Sequence, residues 1–204
     1  MILMYHKVDI VIPSKWWVSV ERFENQISSL YKKYEFVYLD DYDISNKSQV
    51  VLTFDDAYEN IYRHAFPVLK DRNIPFEVFV IGDVLSDWND FDGSEMKTRF
   101  CSLTHLEKMA RSGGRMQWHT RTHPQLPRLN DEQMDAQLTV NSELKSKFPE
   151  PHFKWFAYPS GMHDQHSVDQ VRKRFSGALS VDNGSDLDRF QLNRITVDET
   201  WMPA

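Results

Sequence analysis

The sequence has little of several residue types, and each shortage excludes a class of protein. Among its 204 residues there is one cysteine, Cys101, so no disulfide forms within the chain and a reducing compartment is compatible with the composition. No apolar run approaches the ~20 residues that a membrane-spanning helix needs. The apolar start, residues 1–6, has no basic leader, so we expect no signal peptide and a cytoplasmic protein.

Positive charge is also scarce. The chain has 24 Lys and Arg against 30 Asp and Glu, which gives a formal net charge of −6. The longest basic cluster, residues 172–174, lies in a helix-like stretch and is typical of a solvated helix end. Because no Lys/Arg run is dense enough to follow a phosphate backbone, the sequence argues against nucleic acid as a partner.

Aromatic residues are abundant, with 13 Phe, 8 Tyr and 6 Trp, and this is typical of a chain that buries a core. Short apolar segments alternate with amphipathic ones along the whole chain. Strands are predicted at residues 2–5, 36–39, 50–54, 76–81, 116–118, 154–157, 178–181 and 192–197. Helices are predicted at residues 21–34, 57–71 with a break at Pro67, 103–111 after a Ser102 cap, 130–148 and 168–175.

This alternation of strands and helices predicts parallel βαβ units. Residues 82–101 interrupt it as a long loop of the kind that often carries function. We find no linker, repeat or low-complexity stretch, and therefore predict a single α/β domain over residues 1–204.

Three polar clusters follow predicted strands directly. Asp55 and Asp56 follow the strand 50–54, His119 and His123 follow the strand 116–118, and the turn 159–161 follows the strand 154–157. In parallel barrels this end of the strands carries the active site. Two imidazoles four residues apart and a carboxylate form a common ligand set for zinc.

Each cluster also has an ordinary structural interpretation. The two acids are suited to cap the next helix, two histidines at this spacing are often surface residues, and a Pro-x-Gly turn often only ends a strand. Read alone, none of the three clusters establishes a site.

The order of the clusters along the chain is more specific. Residues 53–56, 119–123 and 159–161 resemble the T-F-D-D, H-[ST]-x-x-H and Pro-to-Gly motifs of the polysaccharide deacetylases, the NodB-homology domains of carbohydrate esterase family 4. Residues 4–8, 120–126 and 156–159 also resemble one branch of that family, which opens with M-Y-H. The resemblance covers roughly residues 1–198 and implies a distorted (β/α) barrel with about seven parallel strands.

The resemblance also implies roles for single residues. Asp56, His119 and His123 would bind a divalent metal, most often Zn²⁺ but also Co²⁺ or Ni²⁺, and Asp55 would be the general base. Ser160 would supply the backbone N–H that stabilises the oxyanion. Residues expected to contact the sugar are Tyr158, Pro159, Trp118 and Arg194.

The sequence departs from the family pattern at three places. Ala57 replaces the usual Gly after the two acids. Ala157 stands where many members have the Arg that orients the base, which leaves Arg194 and Arg121 as candidates. The late segment 192–195 lacks the usual general-acid His, and arginine, with a pKa above ~12, cannot donate that proton. His6, at the end of the first strand, is the candidate proton donor.

The sequence thus predicts a metal-dependent hydrolase that removes an N-acyl group, most often acetyl, from an amino sugar. The predicted absence of a signal peptide favours a surface-polysaccharide precursor as substrate. Two alternatives stay open: a weakly active sugar-binding domain that keeps the metal site, and an amidohydrolase acting on a non-sugar amide.

Overall fold

A curled sheet of parallel strands forms the centre of the fold in the computed structural model, which describes residues 1–181 and 184–203. The strands in these residues are β1 (Ile2–Tyr5), β2 (Lys7–Asp9), β3 (Trp17–Ser19), β4 (Glu35–Phe36), β5 (Gln49–Phe54), β6 (Phe76–Val80), β7 (Gly114–Trp118), β8 (Trp155–Ala157), β9 (Gly177–Leu179) and β10 (Ile195–Thr196).

The main sheet has the order β10-β1-β5-β6-β7-β8-β9, and every pair in it is parallel. Short β4 pairs with the start of β5, and β2 and β3 pair with each other. The segment after β9 joins both edges, because Leu192 bridges to Leu179 and β10 pairs with β1. The predicted distorted barrel of about seven parallel strands is therefore confirmed.

Helices cover the outside of the sheet. In the described residues they are α1 (Val20–Tyr31), α2 (Phe66–Asp71), α3 (Leu103–Ala110), α4 (Asp131–Leu138), α5 (Ser142–Lys147) and α6 (Gln165–Arg172). Four of them begin at a side chain that accepts a hydrogen bond from the first turn: Ser19, Ser102, Asn130 and Asp164. The predicted cap at Ser102 is confirmed. None of these helices is both long and apolar enough to be a membrane span.

The alternation of side chains along the strands separates two apolar clusters. Leu52 and Phe54 of β5 pack outward with the helices, whereas Val51 packs inward with Phe79 and Trp155. Beyond the carboxyl ends of β5 and β7, every second side chain continues to point into the barrel. Asp55 and His119 are therefore brought to the top of the barrel interior.

Two predicted helices differ from the structure. The single helix predicted at 130–148 is two helices, because Thr139 ends α4 with both its N–H and its Oγ1 bonded to the Asp135 carbonyl, at 3.1 and 2.8 Å. The helix predicted at 57–71 starts late, because Asp56 and Ala57 adopt left-handed backbone angles, with φ of 68° and 60°. A π-helical turn, Ile61–Ala65, precedes α2, and Pro67 lies in the first turn of α2, where proline is tolerated.

The bounds of the strands in the structure differ less from the predicted bounds. The strand predicted at 36–39 is reduced to Glu35–Phe36, because residues Leu39–Asp41 form a 3₁₀ turn. The β2–β3 pair was not predicted from the sequence. It lies beside the top of the barrel, where Trp16 and Lys7 face the cleft described next.

Candidate metal centre and its cleft

A cleft of ≈ 260 Å³ opens at the carboxyl ends of the barrel strands. This is the end of the barrel at which the sequence predicts the site. Its lining includes Asp55, Asp56, His119, His123, His6 and Arg194. The three clusters that are far apart in the sequence therefore meet in one cavity.

Asp56, His119 and His123 form a compact group at the base of this cleft. Asp56 Oδ1 lies 3.4 Å from His119 Nε2 and 3.6 Å from His123 Nε2. One ligand atom from each residue lies within 4.8 Å of the other two, which is the spacing of donors around a single cation. The side chains of Asp56 and His119 are 7% and 2% exposed.

The donors in this group fit a divalent metal. Asp56 Oδ1 is buried and has no hydrogen-bond partner among the residues that the structure describes, which costs free energy unless a cation is bound there. His119 Nδ1 lies 2.7 Å from the Ala157 carbonyl and donates to it, so in the neutral ring Nε2 carries a lone pair towards the cleft. Carboxylate and imidazole are donors that zinc, cobalt and nickel accept.

Burial and neighbouring charges set the protonation of these groups. Burial opposes the charge of Asp56, but His119 and His123 outweigh it and hold the pKa of the carboxyl well below its usual range. Burial lowers the pKa of His123 to about 4, so its ring is neutral at pH 7. For His119, burial lowers the pKa, but Asp56 and Asp55 more than offset it and raise the pKa above its ordinary value.

The backbone is held in uncommon conformations around these residues. Asp56, Ala57, Thr120, His123 and Ser160 all have φ between 56° and 68°. Such angles are uncommon for residues other than glycine and cluster at functional sites. The left-handed Ala57 also gives a physical reason for the glycine that the family pattern has at this position.

Asp55 is held by a buried arginine. Arg194 Nη1 and Nη2 donate to the two carboxylate oxygens at 2.6 and 2.7 Å, and Arg194 Nε donates to the Ser180 carbonyl at 3.0 Å. Both side chains are at most 3% exposed. Burial raises the pKa of Asp55, but the charges of Arg194 and His119 and the hydrogen bonds from Arg194 together outweigh it, so the pKa lies below its usual value.

Of the two arginines that the sequence offers for this orienting contact, the structure places only Arg194 at Asp55. Arg121 lies instead on the exposed side of its loop, where Nε donates to Asp83 at 2.9 Å. Arg194 was expected among the sugar contacts, and it does line the cleft, but its guanidinium is engaged with Asp55.

Some of the other predicted site residues line the cleft, and some do not. His6 lines it and packs against Trp16, with ring centroids 4.8 Å apart. Burial lowers the pKa of His6, although Asp56 and Asp55 oppose this shift. Tyr158 and Ser160 also line the cleft.

Trp118 and Pro159 are not among the lining residues, in contrast to the expectation that they contact the sugar. Trp118 precedes the inward-facing His119 and so points to the outer face, where its ring packs against Phe153 and its Nε1 donates to the Gln137 carbonyl at 2.9 Å. Pro159 is buried as the first residue of the turn Pro159–Gly161.

Several lining residues were not singled out from the sequence: Lys7, Trp16, Tyr58, Phe91 and Asp92. Phe91 and Asp92 belong to residues 82–101, hereafter the excursion loop, whose length was the signal of a functional role. Lys7 and Trp16 lie in or beside the β2–β3 pair, which has no periodic pattern long enough to predict.

A sequence model of the polysaccharide deacetylases matches residues 43–174, which is more than half of the chain. The chain belongs to the polysaccharide deacetylase family. The resemblance inferred from the three motifs is thereby confirmed, and residues of all three motifs line the cleft.

Individual relatives are distant. A polysaccharide deacetylase of Bacillus subtilis, YxkH, is 23% identical over 206 residues, which cover 96% of this chain and 70% of that protein. The poly-β-1,6-N-acetyl-D-glucosamine N-deacetylase of Staphylococcus aureus is 27% identical over 172 residues. That match covers 76% of this chain and 58% of the relative.

Solved structures share the fold. The deacetylase PplD of Streptococcus pyogenes, solved in complex with acetate, has a TM-score of 0.81 at 23% identity. The match covers 99% of this chain and 93% of that one. At this identity the likeness supports the architecture of the polysaccharide deacetylases and not a particular substrate.

Proposed function

We propose that the protein is a metal-dependent hydrolase that removes the acetyl group from an N-acetylated amino sugar of a polysaccharide or its precursor. The observation that carries this proposal is the position of the buried Asp56 and His119 and the half-buried His123 beside Asp55, a carboxylate held ionised by Arg194. The name of the S. aureus relative makes β-1,6-linked N-acetylglucosamine the first polymer to test.

In the proposed reaction Asp56, His119 and His123 hold the cation, with Zn²⁺, Co²⁺ or Ni²⁺ as candidates. When bound, the cation would polarise the acyl carbonyl and lower the pKa of water at the site. Asp55 takes the proton of the attacking water, and its two contacts with Arg194 fix the carboxylate in one orientation. The carbonyl oxygen gains charge during the attack and needs a nearby donor.

We assign that donor to the backbone N–H of Ser160. The Ser160 backbone is left-handed, with φ of 56°, and the residue lines the cleft in the turn Pro159–Gly161. Gly161 has a φ of 68°, and a Cβ there would lie 2.8 Å from Val181 Cγ2, so the turn requires glycine at this position. A rigid N–H aimed at a developing oxyanion is a major source of rate acceleration.

Loss of the amine needs a proton, and we assign its donation to His6. His6 is the cleft-lining histidine that is not among the three metal-binding candidates. The contact of Arg194 with Asp55 also weighs against the alternative of a weakly active sugar-binding domain, because it supplies the orienting contact that Ala157 cannot make.

The test is release of acetate and free amine from N-acetylglucosamine oligomers by the Zn²⁺- or Co²⁺-loaded protein. We expect Asp55→Asn to lower kcat by about 100-fold or more while the bound metal stays at the wild-type level, because general-base catalysis contributes about 10²–10⁴-fold. His6→Ala is expected to behave in the same way. In contrast, His119→Ala should lose metal.

Absence of amine release by the metal-loaded wild type across β-1,4- and β-1,6-linked oligomers would contradict a sugar deacetylase. Release from simple N-acetyl amides at the same rate would instead support an amidohydrolase of broader substrate range.

A further inference from the structure

The two histidines of the metal centre are held by different means. His119 has a ring hydrogen bond to the Ala157 carbonyl. Within residues 1–181 and 184–203, no hydrogen bond orients the ring of His123, which packs against Phe91 with ring centroids 4.7 Å apart. Metal-binding histidines almost always use their second ring nitrogen for an orienting hydrogen bond. The position of the His123 ring therefore depends on its backbone.

That backbone is in a conformation that needs support. Thr120 and His123 have φ of 68° and 65°, a left-handed conformation that is strained for residues other than glycine. Thr120 Oγ1 accepts from the His123 N–H at 2.9 Å, which supports the loop from within. The backbone N–H groups of Arg121 and Thr122, which lie between these two residues in the loop, need acceptors from elsewhere.

Gln137 on α4 supplies those acceptors. Its Oε1 accepts from the backbone N–H groups of Arg121 and Thr122, at 3.0 and 3.1 Å, and its Nε2 donates to Thr122 Oγ1 at 3.0 Å. Its backbone carbonyl accepts from Trp118 Nε1. One residue thus fastens both the end of β7 and the middle of the loop that carries the two histidines.

We propose that Gln137 is a positioning residue for the metal ligand His123. It holds the loop 119–123 so that the imidazole stays within reach of Asp56 and His119. The inference rests on the proposed role of His123 as a metal ligand. Helix α4 contributes no side chain to the cleft lining. The inference nevertheless gives this helix a part in the metal affinity of the site.

Zn²⁺ affinity of the purified, metal-stripped protein tests this, measured by competition with a chromophoric chelator. Gln137→Met keeps the length of the side chain and removes the acceptor. We expect it to bind Zn²⁺ about 10-fold or more weakly, because loss of outer contacts of metal ligands costs about 10–100-fold in affinity. Gln137→Glu keeps an oxygen acceptor for both N–H groups and should restore most of the affinity.

Gln133→Met is the matched control. Gln133 lies on the same helix, where it closes the capping box with Asn130, so its loss weakens α4 without touching the loop 119–123. We expect the wild-type Zn²⁺ affinity in this variant and lower thermal stability of the metal-free protein. The visible spectrum of bound Co²⁺ adds a second readout, which should change in Gln137→Met and not in Gln133→Met.

Wild-type Zn²⁺ affinity in Gln137→Met would overturn the inference, as would equal weakening in Gln133→Met or failure of Gln137→Glu to recover affinity. Gln137→Asn, whose amide is one methylene short of the loop, gives a second test should the Met variant not fold. Failure of the proposed metal site itself looks different, because the wild type would then bind Zn²⁺ no better than His119→Ala.

Discussion

At the scale of single residues, the contact between Arg194 and Asp55 is the most informative in the molecule. The family pattern has its orienting arginine just before the turn, whereas here the corresponding position is Ala157. Arg194, from the segment that closes the barrel, reaches the same carboxylate with two hydrogen bonds. A buried pair of this kind fixes the carboxylate more firmly than a single hydrogen bond, because the guanidinium matches both oxygens at once.

This pair is expected to act as a unit in catalysis. Arg194→Met should lower kcat/KM by about 100-fold or more, similar to the loss of the base itself. The double variant Asp55→Asn/Arg194→Met should then be no slower than either single variant. When two residues act as a unit, the first substitution already removes their joint contribution to the rate. Additive losses of kcat/KM would show that Arg194 contributes through another contact. Zn²⁺ affinity serves as the control and should not change.

At the scale of elements, the excursion loop is fastened by a buried ion pair. Lys7 Nζ donates to Glu95 Oε2 at 3.2 Å, and Trp17 Nε1 donates to the same oxygen at 2.8 Å. The Lys7 and Glu95 side chains are 2% and 6% exposed, and Lys7 Nζ also lies 4.3 Å from the Tyr58 ring centroid. Glu95 thereby ties the excursion loop, including cleft-lining Phe91, to β2 and β3.

We expect Glu95→Gln to lower the free energy of unfolding by about 3 kcal/mol, because it leaves the Lys7 ammonium buried without a counter-charge. The double variant Lys7→Met/Glu95→Gln should recover much of this loss in urea unfolding. Equal losses in the single and double variants would argue against the pair. Arg63→Met, which breaks the exposed pair with Glu59, is the control and should change stability by less than about 0.5 kcal/mol.

Helix bounds show how local contacts override a sequence pattern. Residues 130–148 have the pattern of one helix, but Thr139 bonds back to Asp135 and Asn141 turns away to donate to Asp83 at 2.9 Å. The bond to Asp83 depends on where the excursion loop begins, which no local pattern encodes. In contrast, the Ser102 cap was predictable, because it depends only on residues within one turn.

At the scale of the whole molecule, the part of the barrel interior that the structure describes contains a fully buried acid, Glu77, which does not line the cleft. Glu77 on β6 accepts from the Leu39 N–H at 2.9 Å and from Gln117 Nε2 at 2.8 Å. Burial outweighs both bonds and raises the pKa of Glu77 from 4.5 to about 7. Between these two values the folded chain keeps a proton that the unfolded chain has released.

The stabilising effect of this proton is complete below pH 4.5 and is lost as the pH rises through about 7. Relative to Glu77→Gln, the wild type should therefore lose up to about 3 kcal/mol of unfolding free energy between pH 5 and pH 8. Urea unfolding of both metal-free proteins at the two pH values measures this difference. Parallel pH dependences would show that Glu77 is ionised throughout the range.

Much of this architecture could be predicted from the sequence. The parallel barrel follows from strand and helix alternation, and the meeting of Asp56, His119 and His123 follows from their place after the parallel strands β5 and β7. The choice of Arg194 over Arg121 could not be predicted, because it depends on how residues far apart pack. The outward direction of Trp118 was accessible in principle, since it follows from alternation once His119 faces inward.

The closing segment after β9 has a consequence for the order in which the parts of the centre become available. All three candidate ligands lie within the first 123 residues, whereas Asp55 gains its arginine only when residue 194 has been made. A growing chain therefore contains every metal-binding side chain well before its base is oriented. On the proposed mechanism, the chain can therefore bind its metal before it is able to hydrolyse substrate. The ability to hydrolyse substrate comes last, when the final strand of the barrel, β10, brings the adjacent Arg194 to Asp55.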